Sequence, residues 1–177
     1  MKRRRKSTSP AFRRRDMVDL ATFRQAMGLF PGAVTLITTG KDTLRRGITA
    51  TAVCSVTDSP PSILVCVNRK TGTCQEIERS GKFSVQLLDS DHCDVALRFA
   101  GATGETGADK FTPADWTACV AGLPRLKAAL ASLSCEVTSS SENGSHTVFI
   151  GAIKDAALRE GDALIYAQSH FRRLEAV

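Results

Sequence analysis

The stretch that decides the reading is Gly47–Pro61, GITATAVCSVTDSPP, followed after one short apolar run by Asn68–Thr73, NRKTGT. Within it Thr49, Ala50, Thr51, Ala52, Val53, Cys54 and Ser55 stand in a row, with three small hydroxyl residues and two alanines among them. Small side chains let a planar ligand lie close to a strand backbone, whose N–H and C=O groups then bond the ring edge. The hydroxyls serve a polyol or a phosphate. On composition alone, a strand facing a crowded helix accounts for the same run. Pro60-Pro61 breaks the strand pattern.

The second run lies between an apolar strand, Ser62–Val67, and a helix start. Thr73-x-x-Glu76 has the form of a capping box, with Ile77 inside and Gly81 as the stop, so the pattern predicts a helix opening at Thr73. Free N–H groups at such a start attract anions, and Lys70, Thr71 and Thr73 add charge and donors. A capped turn without a ligand is the alternative. The sequence has neither G-x-x-x-x-G-K-[ST] nor G-x-G-x-x-G, so neither phosphate-loop fingerprint applies.

Working outward, Asp19 reads as the N-cap of a helix to about Leu29, with Leu20, Phe23, Met27 and Phe30 at helical spacing and Pro31-Gly32 as its stop. Ala33–Thr39, Ile48–Val56, Ser62–Val67, Phe83–Leu88, Ser134–Thr138, His146–Ile153 and Ala163–Ala167 read as strands. Ser90–Ala100 and Pro124–Leu133 read as helices, and the Gly/Thr-rich 102–108 as a loop. The elements do not alternate as β-α-β-α. That excludes a doubly wound sheet and predicts a mainly β domain, closed or sandwiched, with peripheral helices.

The chain of 177 residues carries a formal net charge of +6, but residues 1–15 hold eight bases and no acid. The remainder is slightly acidic, so the basicity belongs to a tail, set at residues 1–18, and the domain to 19–177. Nucleic-acid binding through that tail is the weakest of the functional readings. No apolar run has membrane-spanning length and the N-terminus lacks a signal-peptide core, which makes a cytoplasmic location the simplest expectation. The six cysteines include no C-x-x-C, and Cys54, Cys66 and Cys135 sit in apolar runs as small hydrophobes, so no metal site is expected.

Among three histidines, His146, on a turn entering a strand, is best placed for a pocket rim. Tyr166 and Phe171 with Arg172 and Arg173 either cover a ring or close the core. Neither G-x-S-x-G nor H-E-x-x-H occurs.

Taken in order, FRQAMGLFPGAVTLITT, GITATAVCSVTDSPP, SILVCVNRKTGT, GKFSVQLL, ALRFAG, DKF, LPRLKAALASLSCEV, GSHTVFIGAI and ALIYAQSHFRRL resemble the flavin reductase-like family. The nearest subgroup comprises the reductase components serving 4-hydroxyphenylacetate and pyrimidine monooxygenases. The resemblance runs from Asp19 to Leu174. It implies a split β-barrel with a Greek-key core, a homodimer with flavin near the subunit interface, and hydride transfer from NADH or NADPH to FMN or FAD. Reduced flavin then goes to a separate monooxygenase.

By position, the resemblance places Thr49, Ala50, Thr51, Ala52, Val53 and Ser55 along the isoalloxazine and ribityl chain. Asn68, Lys70, Thr71 and Thr73 fall at the phosphate, and His146 beside the nicotinamide as the catalytic candidate. Phe171 closes the site, with Phe99 and Lys110 toward the flavin's far end. Gly72 stands where serine or alanine is expected, and Gln168-Ser169-His170 replaces an Arg-Gly turn. A flavin-binding electron carrier or sensor on the same barrel is the alternative.

Overall fold

The computed structural model describes residues 17–112 and 115–175. Of the expected tail, residues 1–16 lie outside the described residues. The strands are β1 (Gly32–Ala33), β2 (Thr35–Thr39), β3 (Arg46–Ala50), β4 (Val53–Asp58), β5 (Pro61–Asn68) and β6 (Lys82–Leu87), then β7 (Trp116–Ala118), β8 (Pro124–Leu126), β9 (Ala131–Asn143), β10 (His146–Leu158), β11 (Ile165–Ala167) and β12 (His170–Arg172). The helices are α1 (Leu20–Gly28), α2 (Gly72–Ser80) and α3 (Cys93–Ala100), with short 3-10 turns at Asp42–Leu44 and Gly107–Phe111.

β2, TLITT, is the strand on which both cores rest, and all five of its residues are buried. Successive side chains on a strand point to opposite faces. Leu36 therefore enters a cluster with Leu88, Phe99, Phe111, Leu126 and Leu164, while Ile37 enters another with Val65, Val67, Ile77, Phe83 and Phe149. α3 covers the first cluster with Val95, Ala96 and Phe99, and α2 closes the second with Cys74 and Ile77. Burial pushes the Cys135 thiol in that second cluster up to about 12.

The main sheet is antiparallel, in the order β3-β2-β6-β9-β10-β5-β4. Its first and last strands are consecutive in the chain, joined by Thr51 and Ala52 alone. That connection reaches about 10 Å, so the neighbouring ends of the two edge strands lie close together at Thr51. No ladder joins β3 to β4. The expected strand Ile48–Val56 is therefore two strands on opposite edges. Gly32 lies against the break, where a Cβ would stand 2.8 Å from Thr51 Cβ.

Other expectations are corrected. Pro124–Leu133 is no helix: Pro124–Leu126 pairs with Trp116–Ala118, and β9 starts at Ala131. Leu126 is buried from a strand and Leu130 from a bend, with Arg125 paired to Asp155. β9 and β10 run well past their expected ends as one long ribbon. Cys54 is exposed on β4 rather than buried. α2 opens at Gly72, with Thr71 as N-cap accepting from Cys74 N at 3.2 Å; Glu76 binds Arg79 and closes no capping box. α1 forms as expected, capped by Asp19, yet buries none of its residues.

Candidate functional site

Two cavities share two walls. β3 supplies one wall, with Arg46, Gly47 and Ile48 facing a cavity of 240 Å³ and Thr49 and Ala50, continuing to Thr51, facing one of 610 Å³. α3 and the loop after it supply the other, with Ala96, Leu97 and Ala100 on the larger cavity and Gly101 and Gly104 on the smaller. A strand rises about 3.3 Å per residue, so the two cavities line a trough of two chambers along about 15 Å of β3. The larger chamber is mostly apolar and closes on the β11–β12 hairpin, through Tyr166, Ser169, His170 and Phe171. Tyr166 and Phe171 meet edge to face with ring centroids 5.4 Å apart.

The smaller chamber holds two cations and one carboxylate. It is lined by Arg46, Lys110 and Glu105 together with Thr71, Gly72 and Thr73 at the start of α2. Arg46 Nη1 donates to Thr43 O at 2.9 Å and Arg45 O at 2.7 Å, which fixes the guanidinium. A Cβ on Gly72 would stand 3.3 Å from both Cδ and Nε of Arg46. Glycine at this position, unexpected from the sequence, thus lets the arginine lie across the open helix end. Lys110 Nζ donates to Phe99 O at 3.1 Å. Burial lowers the lysine below its ordinary range, and nearby Glu105 draws it back up. Glu105 is held below the usual carboxylate range by a hydrogen bond from Thr103.

The structure thus brings Thr49, Ala50, Thr51 and Phe171 to the larger chamber and Thr71, Thr73 and Lys110 to the smaller. Asn68 frames the approach to α2: its side chain accepts from Lys70 N at 3.0 Å and its carbonyl from Thr71 Oγ1 at 2.7 Å. Lys70 is exposed beside it. The Thr49 hydroxyl is engaged, donating to Ala96 O at 2.6 Å, so it ties β3 to α3.

Five residues fall elsewhere. Val53 faces a separate cavity of 390 Å³ with Pro31 and Gly32, and Ala52 and Ser55 are exposed beyond the break. Phe99 is 1% exposed and packs on Phe111 and Trp116, so its ring supports the trough from beneath instead of lining it. His146 is exposed at the tip of the β9–β10 ribbon, opposite Asn68, and lines neither chamber of its own chain.

Arg46 was not among the residues expected from sequence. Nothing in the dipeptide Arg45-Arg46 separates the two until the strand pleat is known. Arg45 turns to the Phe111 ring, 5.9 Å from its centroid, and Arg46 turns to the chamber.

A profile of the flavin reductase like domain matches residues 27–175. The 4-hydroxyphenylacetate 3-monooxygenase reductase component of Pseudomonas aeruginosa is 40% identical over 154 residues, covering 86% of this chain and 91% of its own. FMN reductase (NADH) RutF 1 of Methylorubrum extorquens is 39% identical over 158 residues, 89% of this chain and 78% of its own. Among solved structures, the NADH:FAD oxidoreductase SgcE6 of Streptomyces globisporus superposes with a TM-score of 0.83 at 30% identity, covering 90% of this chain and 95% of that one.

Proposed function

The chain belongs to the flavin reductase family, and on that premise we propose that it is an NAD(P)H:flavin oxidoreductase that hands reduced FMN or FAD to a separate monooxygenase. The observation that carries this reading is the trough: an apolar chamber with a floor of small residues adjoins a chamber with Arg46 and Lys110 at a helix start. Those two ends suit the ring and the phosphate of one flavin. RutF 1 is an FMN reductase (NADH) and SgcE6 an NADH:FAD oxidoreductase, which supports NADH as the hydride source.

A flavin held here would supply the hydride acceptor and a nicotinamide the donor, and this chain's residues would set the geometry of their encounter. Thr49–Thr51 keep the floor low so that a ring lies against backbone, and Arg46, Lys110 and the N–H groups opening α2 hold the phosphate. Tyr166 and Phe171 line the chamber on the hairpin side, across from β3. Few side chains grip the ring itself, which suits release of reduced flavin to a partner. The sheet, whose edge strands come close together at Thr51, is a split β-barrel on this reading, and the unit from residue 19 onward acts in the cytosol without needing the tail.

Purified protein is expected to oxidise NADH only when free FMN or FAD is supplied. A retained yellow chromophore with no NADH turnover would overturn the enzyme reading in favour of a carrier.

The proposed homodimer rests on α1. Leu20, Phe23 and Met27 on this helix, which buries none of its residues, and Phe30 just past its C-cap are between 49% and 68% exposed. Such an unpartnered apolar face fits a second copy of the chain. Phe23→Glu combined with Met27→Glu is expected to yield monomers in sedimentation velocity, while the parent sediments as a dimer. A variant that still sediments as a dimer would remove α1 from the interface.

A further inference from the structure

The larger chamber is also lined by a histidine, His170, where the β11–β12 hairpin turns. Gln168 and Ser169 join β11 to β12 as a two-residue turn, with Ala167 paired to His170. Both turn residues have left-handed backbone, φ 52 and 63, in a turn type that usually takes Asn and Gly. The turn is nevertheless held on three sides. Gln168 N donates to Gly28 O at 2.7 Å, the Gln168 side chain accepts from Arg172 Nη2 at 2.8 Å, and the Gln168 carbonyl lies 2.7 Å from His170 Nδ1. A carbonyl oxygen only accepts, so Nδ1 carries the proton of the neutral ring and Nε2 carries the lone pair. His146 differs: its Nδ1 meets the Ser145 hydroxyl, which leaves its tautomer free.

Resting on the flavin reductase reading, we infer that His170 is the positioning residue for the dihydronicotinamide, its Nε2 accepting a hydrogen bond from the carboxamide N–H. With a flavin ring against β3, the second planar ring enters on the hairpin side, where Ser169, His170 and Phe171 line the chamber. A carboxamide offers two N–H donors, and a fixed Nε2 lone pair is the complementary acceptor. The bond sets the rotation of the nicotinamide over the flavin, so it acts on productive binding rather than on proton transfer.

The test compares NADH with its reduced 3-acetylpyridine analogue, in which a methyl ketone replaces the carboxamide and no N–H remains. His170→Asn keeps a group at the Nδ1 position, preserving the turn, and deletes Nε2. His170→Gln places an amide near Nε2 and gives up the turn bond. At saturating FMN, His170→Asn is expected to lose about five- to tenfold in kcat/KM for NADH, chiefly through KM. Its rate with the analogue should stay within twofold, and His170→Gln should retain the preference for NADH. A wild-type ratio of the two substrates in His170→Asn, or a lost ratio in His170→Gln, would overturn the assignment and leave His170 a turn residue. Wild-type protein with no flavin-dependent NADH oxidation would overturn the enzyme reading and this inference with it.

Discussion

Replacing Arg46 with alanine is expected to raise the dissociation constant for FMN about 30-fold and that for riboflavin less than twofold, as read by quenching of flavin fluorescence. Riboflavin has the same ring and ribityl chain without the phosphate, so the difference isolates the anion. A charge-assisted hydrogen bond contributes roughly 1.5–3 kcal/mol, or about 10–100-fold in affinity. The middle of that range applies because the guanidinium is already held by Thr43 O and Arg45 O, and little side-chain freedom remains to be lost. Arg46→Lys keeps the charge but not the planar fork, and should fall between the two. Added salt should weaken FMN binding less in the alanine variant than in the parent. An equal loss for riboflavin would show that Arg46 holds the trough's shape and not the phosphate.

The central strands were legible because burial on both faces leaves a plain mark: TLITT and SILVCV are short, β-branched or apolar, and bounded by turn residues. The break at Thr51-Ala52 was not, since it arises where the ends of two edge strands come together, and no local pattern in TATAV encodes that meeting. Pro124–Leu133 was misread because Leu126 and Leu130 are buried from a strand and a bend while keeping a helix-like spacing. Two threonines two residues apart compete for the cap of α2, and Thr71 wins because its hydroxyl both donates to Asn68 O and accepts from Cys74 N. The site divides the same way. Residues close in sequence, Thr49–Thr51 and Thr71 with Thr73, line the chambers as local pattern suggests. The parts that long-range packing brings there, Arg46 and the Ser169-His170 turn, carry no such local mark.

Gly47 is where packing and function meet, and the second large effect is expected there. A Cβ at this buried position would stand 2.5 Å from Phe99 Cε1 and 2.8 Å from Cδ1, so Gly47→Ala must displace a ring wedged against Phe111 and Trp116. Overpacking of this kind costs about 1–3 kcal/mol. Phe99→Ala alone leaves a cavity and costs about 3–5 kcal/mol. Together the two should cost about 1–2 kcal/mol less than their sum, because the obstructing ring is gone and the new methyl fills part of its space. Guanidinium unfolding at one fixed protein concentration, so that any dimer contributes equally, measures the cycle. Costs that add within about 0.5 kcal/mol would mean that Gly47 and Phe99 do not bear on each other. The same displacement reaches the phosphate chamber through the Phe99 carbonyl, which accepts from Lys110 Nζ. Gly47→Ala should therefore weaken FMN more than riboflavin, and restoring stability with an added osmolyte should leave that difference in place, because it comes from where the lysine is held and not from how much protein is folded.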